Sequence, residues 1–182
     1  LLHLAESSVD LPCVGDWVRV GYHDAGAHAR ILELLPRKSE LKRRKPGSDH
    51  EYQMIAANID VAFIVQSCHY DFNVRRLERY LVMANEGKIE PLILLTKTDL
   101  VSAESREELL AQIRQAGIST PVIALSNVSG AGLAQVHELI LPGKTYCLLG
   151  SSGVGKTSLV NRLLGGQLLA TNTVRDSGEG RH

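Results

Sequence analysis

The segment Gly150-Ser151-Ser152-Gly153-Val154-Gly155-Lys156-Thr157 has the residue types and spacing to hold a chain of phosphates. Glycines let backbone N–H groups turn inward around an oxyanion, where side chains would block the approach. Ser158 to Leu164 reads as a helix running on from the loop. Its unpaired first-turn N–H groups and positive dipole end would face the same phosphates. Lys156 adds a full positive charge at the β and γ positions, and Thr157 offers a hydroxyl to Mg²⁺.

A second segment, Thr96-Lys97-Thr98-Asp99, follows an apolar run at the kind of strand end where ligands approach an open α/β sheet. It resembles the Asn-Lys-x-Asp guanine motif of GTPases. In that motif the aspartate carboxylate accepts from guanine N1–H and the 2-amino group. Adenine has neither donor and would leave Asp99 desolvated and unpaired, which is a strong basis for discrimination. The stem of Lys97 would lie along the base. Thr96 departs from the pattern: an asparagine amide donates and accepts and ties its loop to neighbouring backbone, whereas threonine offers a hydroxyl on a shorter arm. Ser126-Asn127 occupies the place of a second base-contacting loop, usually Ser-Ala, whose backbone N–H groups meet guanine O6. In ordinary P-loop GTPases the phosphate loop comes first. Here it comes last, which indicates a circularly permuted GTPase.

The elements that must carry these segments alternate strand and helix from about residue 53. Val61–Val65, Pro91–Leu95, Pro121–Leu125 and Tyr146–Leu149 are short continuous apolar runs, as expected of strands buried on both faces. Between them, Asn73 and Ser102 are placed to cap helices that end near Gly87 and Gly117, and a third helix spans about residues 133–140. The pattern predicts an α/β fold with a parallel sheet covered on both sides. Residues 1–52 read differently. Trp17–Tyr22 and His28–Leu35 are strand-like, with turn residues between them, and fit a small, partial OB-like β-barrel. The expected domains are thus 1–52 and 53–182.

The chain has 182 residues and no formal net charge, but from Arg37 to Lys45 six basic residues face Glu40 alone. Arg37, Lys38, Lys42, Arg43, Arg44 and Lys45 are expected in a loop of the barrel or its exit, where they would meet RNA phosphates. With aromatics at 4%, contact through shape and backbone is expected rather than base stacking. Arg75, Arg76 and Arg79 read as a solvated helix face. Cys13, Cys68 and Cys147 have no metal-ligand spacing and read as reduced thiols. No apolar run reaches the roughly 20 residues that a membrane-crossing helix needs. With no initiator Met and a polar last stretch, Gly178 to His182, the chain reads as an internal segment of a longer protein.

Taken together, these features resemble the RsgA/YjeQ family of circularly permuted GTPases. The landmarks are Val14-Gly-Asp-Trp17, Ala56-Ala-Asn-Ile-Asp60, Asp71-Phe-Asn-Val-Arg-Arg-Leu-Glu-Arg-Tyr80, the Thr-Lys-Thr-Asp segment, the phosphate loop and Gly180-Arg181-His182. The resemblance implies a cytoplasmic, monomeric GTPase that uses GTP/GDP and Mg²⁺. It also implies late maturation of the small (30S) ribosomal subunit as the role, with an OB-fold on ribosomal RNA and a Zn²⁺ domain beyond this chain. It matches His182 to a switch histidine considered catalytic in the family. Without the γ-phosphate motif, these residues are expected to bind a nucleotide diphosphate but hydrolyse GTP poorly. Two alternatives stay open: a P-loop ATPase, and an RNA-binding protein that keeps nucleotide without turnover.

Overall fold

A computed structural model describes residues 8–23, 28–45, 47 and 51–170. The chain divides into two compact units: residues 1–60 with 83–90, and residues 61–82 with 91–182.

In the first unit, β1 (Val18–His23) pairs antiparallel with β2 (His28–Leu34), and β3 (Glu40–Arg44) pairs antiparallel with β4 (Tyr52–Ala57). These hairpins form the partial OB-like region. β4 begins where the sequence places the domain boundary and pairs back onto β3, so the unit runs on to Asp60. The basic run is not the expected loop, because Lys42, Arg43 and Arg44 lie on β3. Backbone pairing with β4 sets that strand, and Leu41, 1% exposed, is its one deeply buried apolar residue. A strand with a single buried apolar position carries no alternation to read.

Arg37 is also placed differently from its expected RNA-facing position. Its Nε and Nη2 bond Asp16 at 2.7 and 2.8 Å, while Nη1 and Nη2 donate to the carbonyls of Val9 and Leu11. The two side chains are 10% and 1% exposed. The guanidinium holds the Asp16 carboxyl below the usual carboxylate range, with help from the Cys13 N–H.

In the second unit, the order β7-β6-β5-β8 joins β5 (Val61–Ser67), β6 (Glu90–Thr96), β7 (Val122–Ala124) and β8 (Tyr146–Leu149). β5 runs parallel to β8, and β6 to β7. The C-terminal ends of β5 and β6 also meet, where Cys68 N–H donates to the Thr96 carbonyl at 2.9 Å. All four strands therefore finish on one edge.

Alternate strand residues feed two cores, one on each face. Phe63, Val65, Leu92 and Leu94 pack with Leu125, Val136 and Leu159, the last two on α3 (Leu133–Glu138) and α4 (Lys156–Leu163). Ile64, Ile93 and Leu95 pack with Leu77 and Leu81 of α1 (Val74–Glu86) and Ile113 of α2 (Ala103–Gln115). Each such fully buried Leu or Ile contributes about 1.5–3 kcal/mol. The expected caps are present: Asn73 Oδ1 accepts from Arg76 N–H at 3.0 Å, and Ser102 Oγ from Ser105 N–H at 3.2 Å. Among the described residues no helix is long and apolar enough to cross a membrane.

Asp16 is depressed in the folded state, so its share of stability is full above the unfolded pKa of about 3.9 and is lost as pH falls through the lower folded value. Arg37→Ala leaves this buried carboxylate unpaired and is expected to cost about 3–5 kcal/mol. Denaturant unfolding followed by Trp17, the single tryptophan, measures it; a loss below about 1 kcal/mol would make the pair no stronger than a surface contact.

Candidate functional site

The strand order fixes where a ligand can enter. β5, β6 and β7 step one way across the sheet, and β8 returns to the far side of β5. The reversal lies between β5 and β8, and such a switch point at strand C-termini opens a crevice. The segment Gly150–Gly155 leaves β8 at that crevice and leads into α4. Its glycines are needed there. Gly150 sits at φ +156°, and a Cβ on it would meet the Val65 carbonyl oxygen at 2.3 Å. Gly155, at φ +97°, enters α4 with no side-chain cap, which leaves the first-turn N–H groups open to an anion.

Lys156 folds back over this loop and donates from Nζ to the carbonyls of Gly150 at 2.8 Å and Ser151 at 2.6 Å. Burial lowers its pKa from the ordinary lysine value. Ser152, Gly153 and Thr157 are exposed, Ser158 is half-buried, and Val154 anchors the loop in the core at 1% exposure.

The other sequence-selected residues gather at the ends of β6 and β7. Thr96 is fully buried, and its hydroxyl donates to the Val154 carbonyl at 2.5 Å, with the Gln66 carbonyl at 3.3 Å. The shorter arm therefore does reach the phosphate loop. Lys97 follows in the left-handed region at φ 60°, which turns the chain sharply and brings Asp99 to the surface. The Ser126 hydroxyl donates to Asp99 Oδ1 while accepting from the N–H groups of Val128 and Ser129, both at 3.1 Å. Asn127 Nδ2 donates to the Gly155 carbonyl at 3.1 Å.

Thr96, Lys97, Asp99, Ser126 and Asn127 thus stand beside Gly150–Ser158 on one edge of one sheet. His182, with Gly180 and Arg181, lies outside the described residues.

Two residues matter here that the sequence does not single out. Arg76, expected on a solvated face, is half-buried and donates from Nη1 to Asp71 Oδ2 at 2.5 Å and to Ser151 Oγ at 2.6 Å. Asp71, five residues before it, is the only sequence sign of a tethered guanidinium. Arg75 and Arg79 are exposed as expected. Arg162 on α4 donates to the carbonyls of Asn127 at 2.7 Å and Val128 at 2.8 Å, a contact that no local pattern announces.

The site brings together a glycine loop with an uncapped helix start, an ammonium held over that loop, and a carboxylate bonded by a serine. Asn127 Oδ1 is buried without a hydrogen-bond partner among the described residues. Such a group is costly to leave unpaired and fits a place that a ligand or its water completes. A crevice of about 400 Å³ adjoins it, lined by Asn127, Ser158, Asn161 and Arg162 with Gly165–Gln167. Among the described residues no group of three or more His, Cys, Asp or Glu could hold a metal ion. The cysteines are free, and burial pushes the Cys68 and Cys147 thiols up to about 11.

The profile of the RsgA GTPase family matches residues 34–182. Over 191 residues the chain is 38% identical to the small ribosomal subunit biogenesis GTPase RsgA of Opitutus terrae, covering all of this chain and 52% of that protein. It is 40% identical over 183 residues to RsgA 2 of Lactiplantibacillus plantarum, covering all of this chain and 51% of that one. The chain spans about half the length of these curated relatives. Among solved structures, YjeQ from Thermotoga maritima superposes with a TM-score of 0.65 at 26% identity, over 84% of this chain and 51% of that one. YloQ, described as a circularly permuted GTPase, superposes with a TM-score of 0.58 at 27% identity, over 82% and 49%. With its phosphate loop following the last strand of the sheet, and with the family profile matching residues 34–182 and two relatives matching its whole length, this chain belongs to the RsgA GTPase family.

Proposed function

We propose that these residues bind guanine nucleotides, and that the protein to which they belong is a cytoplasmic, monomeric GTPase assisting late maturation of the small ribosomal subunit. One observation carries the nucleotide reading: the carboxylate of Asp99, fixed by Ser126, stands on the same sheet edge as the phosphate loop. A carboxylate accepts from guanine N1–H and N2–H and from nothing on adenine at those positions.

In this reading Lys97 lies along the base, and the backbone N–H groups of Ser126 and Asn127 meet O6. The N–H groups from Gly150 to Ser158 receive the phosphates, Lys156 exchanges its carbonyl partners for β- and γ-oxygens, and Thr157 lends its hydroxyl to the metal. Mg²⁺, when bound, neutralises charge on those oxygens. Hydrolysis belongs to the whole protein, with His182 proposed as its catalytic residue. A zinc domain beyond residue 182 is part of the same proposal.

The second unit is the proposed GTPase domain, and the first, which runs past the expected boundary at residue 52 to Asp60, is the part proposed to meet ribosomal RNA. Its contact surface centres on β3, where Lys42, Arg43 and Arg44 project from one short strand, with Lys45 following and Lys38 preceding. Lys38 and Lys45 pair with Asp60 and Glu51 at 2.9 and 2.7 Å, exposed contacts that phosphate can replace. Arg37 is held by Asp16 and serves the fold instead.

Two measurements test this. Binding of fluorescent GDP and ADP is expected to favour GDP strongly in the wild-type chain, and Asp99→Ala should bring the two affinities together. Equal affinities before mutation would reduce the chain to a general phosphate binder. For the RNA surface, replacing Lys42, Arg43 and Arg44 together by Gln should weaken binding to single-stranded ribosomal RNA segments. It should also flatten the log–log salt slope by about 0.7 per lost phosphate contact; an unchanged slope would remove β3 from the interface.

A further inference from the structure

The amide that a guanine-motif asparagine would bring to position 96 is absent from this chain, yet the phosphate loop is fastened to the base-side loops at two points. Thr96 has one donor hydrogen, spent on the Val154 carbonyl at 2.5 Å. One residue further along the same loop, the Gly155 carbonyl takes a side-chain amide from the loop after β7, Asn127 Nδ2 at 3.1 Å. That carbonyl also accepts the N–H of Leu159 at 2.9 Å, the first turn of α4. A trans peptide is planar, so fixing the Gly155 carbonyl also fixes the Lys156 N–H, which points the opposite way. Asn127 is itself held from α4, since Arg162 grips its carbonyl at 2.7 Å and the next one at 2.8 Å. The loop after β7 and the phosphate loop are therefore bolted together in both directions.

We propose that Asn127 has taken over the work of the missing asparagine: its side-chain amide, supplied from the loop after β7, is the positioning contact that couples base recognition to phosphate binding. This rests on the guanine reading above. Position 127 then acts through its side chain as well as its backbone, which an alanine there could not do. The crowding at Gly155 agrees with this: a Cβ there would stand 3.0 Å from Asn127 Nδ2, so the amide fills the space beside the glycine. The coupling makes a simple demand. Guanine nucleotides, which engage both loops, depend on Asn127 more strongly than a nucleotide held by its phosphates alone.

The test measures GDP and ADP affinity, GDP release rate and ligand-free melting temperature. It compares the wild-type chain with Asn127→Ala, Asn127→Asp, Thr96→Asn/Asn127→Ala and Asp99→Ala. Asn127→Ala is expected to weaken GDP about tenfold, equivalent to about 1.4 kcal/mol, with faster release, a clearly smaller loss of ADP affinity and at most the small drop in ligand-free melting temperature that one lost hydrogen bond brings. Asn127→Asp keeps the shape but turns an acceptor toward the Gly155 carbonyl, and should be at least as weak. Thr96→Asn in the Asn127→Ala background should recover GDP affinity to within about threefold of wild type; should that double variant not fold, the Asp variant decides. Wild-type GDP affinity in both single variants at position 127, or a melting temperature that falls in parallel with affinity, would overturn the coupling. If Asp99→Ala abolishes the GDP preference in that case, guanine reading survives and this inference alone fails. If Asp99→Ala changes nothing, both fall.

Discussion

The closeness of the phosphate loop to β5 governs this site. Gly150 passes the Val65 carbonyl with no room for a side-chain carbon, and that approach is possible only because β8 pairs directly with β5. Once β8 is there, Val154 drops into the core beside Leu159 and Phe63, and its carbonyl comes within reach of Thr96. Everything on the base side is built outward from that fixed loop. Even the buried polar side chains follow this geometry. Gln66, Ser67, Thr96 and Ser126 are all at most 2% exposed, all lie at C-terminal strand ends, and all are hydrogen-bonded. The sheet interior is apolar, and its polar groups are confined to the edge where they hold loops in place.

Much of this was legible in the sequence because the signals were local. Strands buried on both faces need uninterrupted apolar runs, so β5 and β6 show themselves, and the half-buried β8 does so by its own apolar run. Caps such as Asn73 and Ser102 act within a turn of their own position, and the phosphate loop is a single contiguous segment. The misses follow from the same logic. β3 has one deeply buried residue, so backbone pairing rather than patterning defines it, and its charges look like a loop. Arg37 and Arg76 look like surface cations until partners distant in sequence, Asp16 and Ser151, remove them from solvent. Asn127 was read for its backbone, since nothing within a few residues shows that its amide reaches Gly155.

The contrast between Arg37 and the β3 cations also shows why a cluster of positive charge is a poor unit of analysis. Within nine residues, one guanidinium is sequestered against a buried carboxylate, three lysines pair with acidic side chains, and Arg44 stands on an exposed strand position. Their net charge is shared, but their availability to an anionic partner is not. Desolvation decides the difference, because a buried pair cannot exchange partners without exposing the carboxylate it neutralises.

The late position of β8 has a consequence for synthesis. A chain made from its N-terminus presents β5, β6 and β7 well before β8, and until β8 arrives the far edge of β5 has no neighbour. That edge carries the most deeply buried strand of the sheet, with six of its seven residues buried when complete, and unpaired apolar edges invite pairing with other chains. At about 5–20 residues per second the exposure lasts on the order of ten seconds. Reversing the motif order thus leaves the binding crevice intact but delays its closure until β8 has been made, so nascent chains of this topology have a longer interval in which to meet a chaperone or one another.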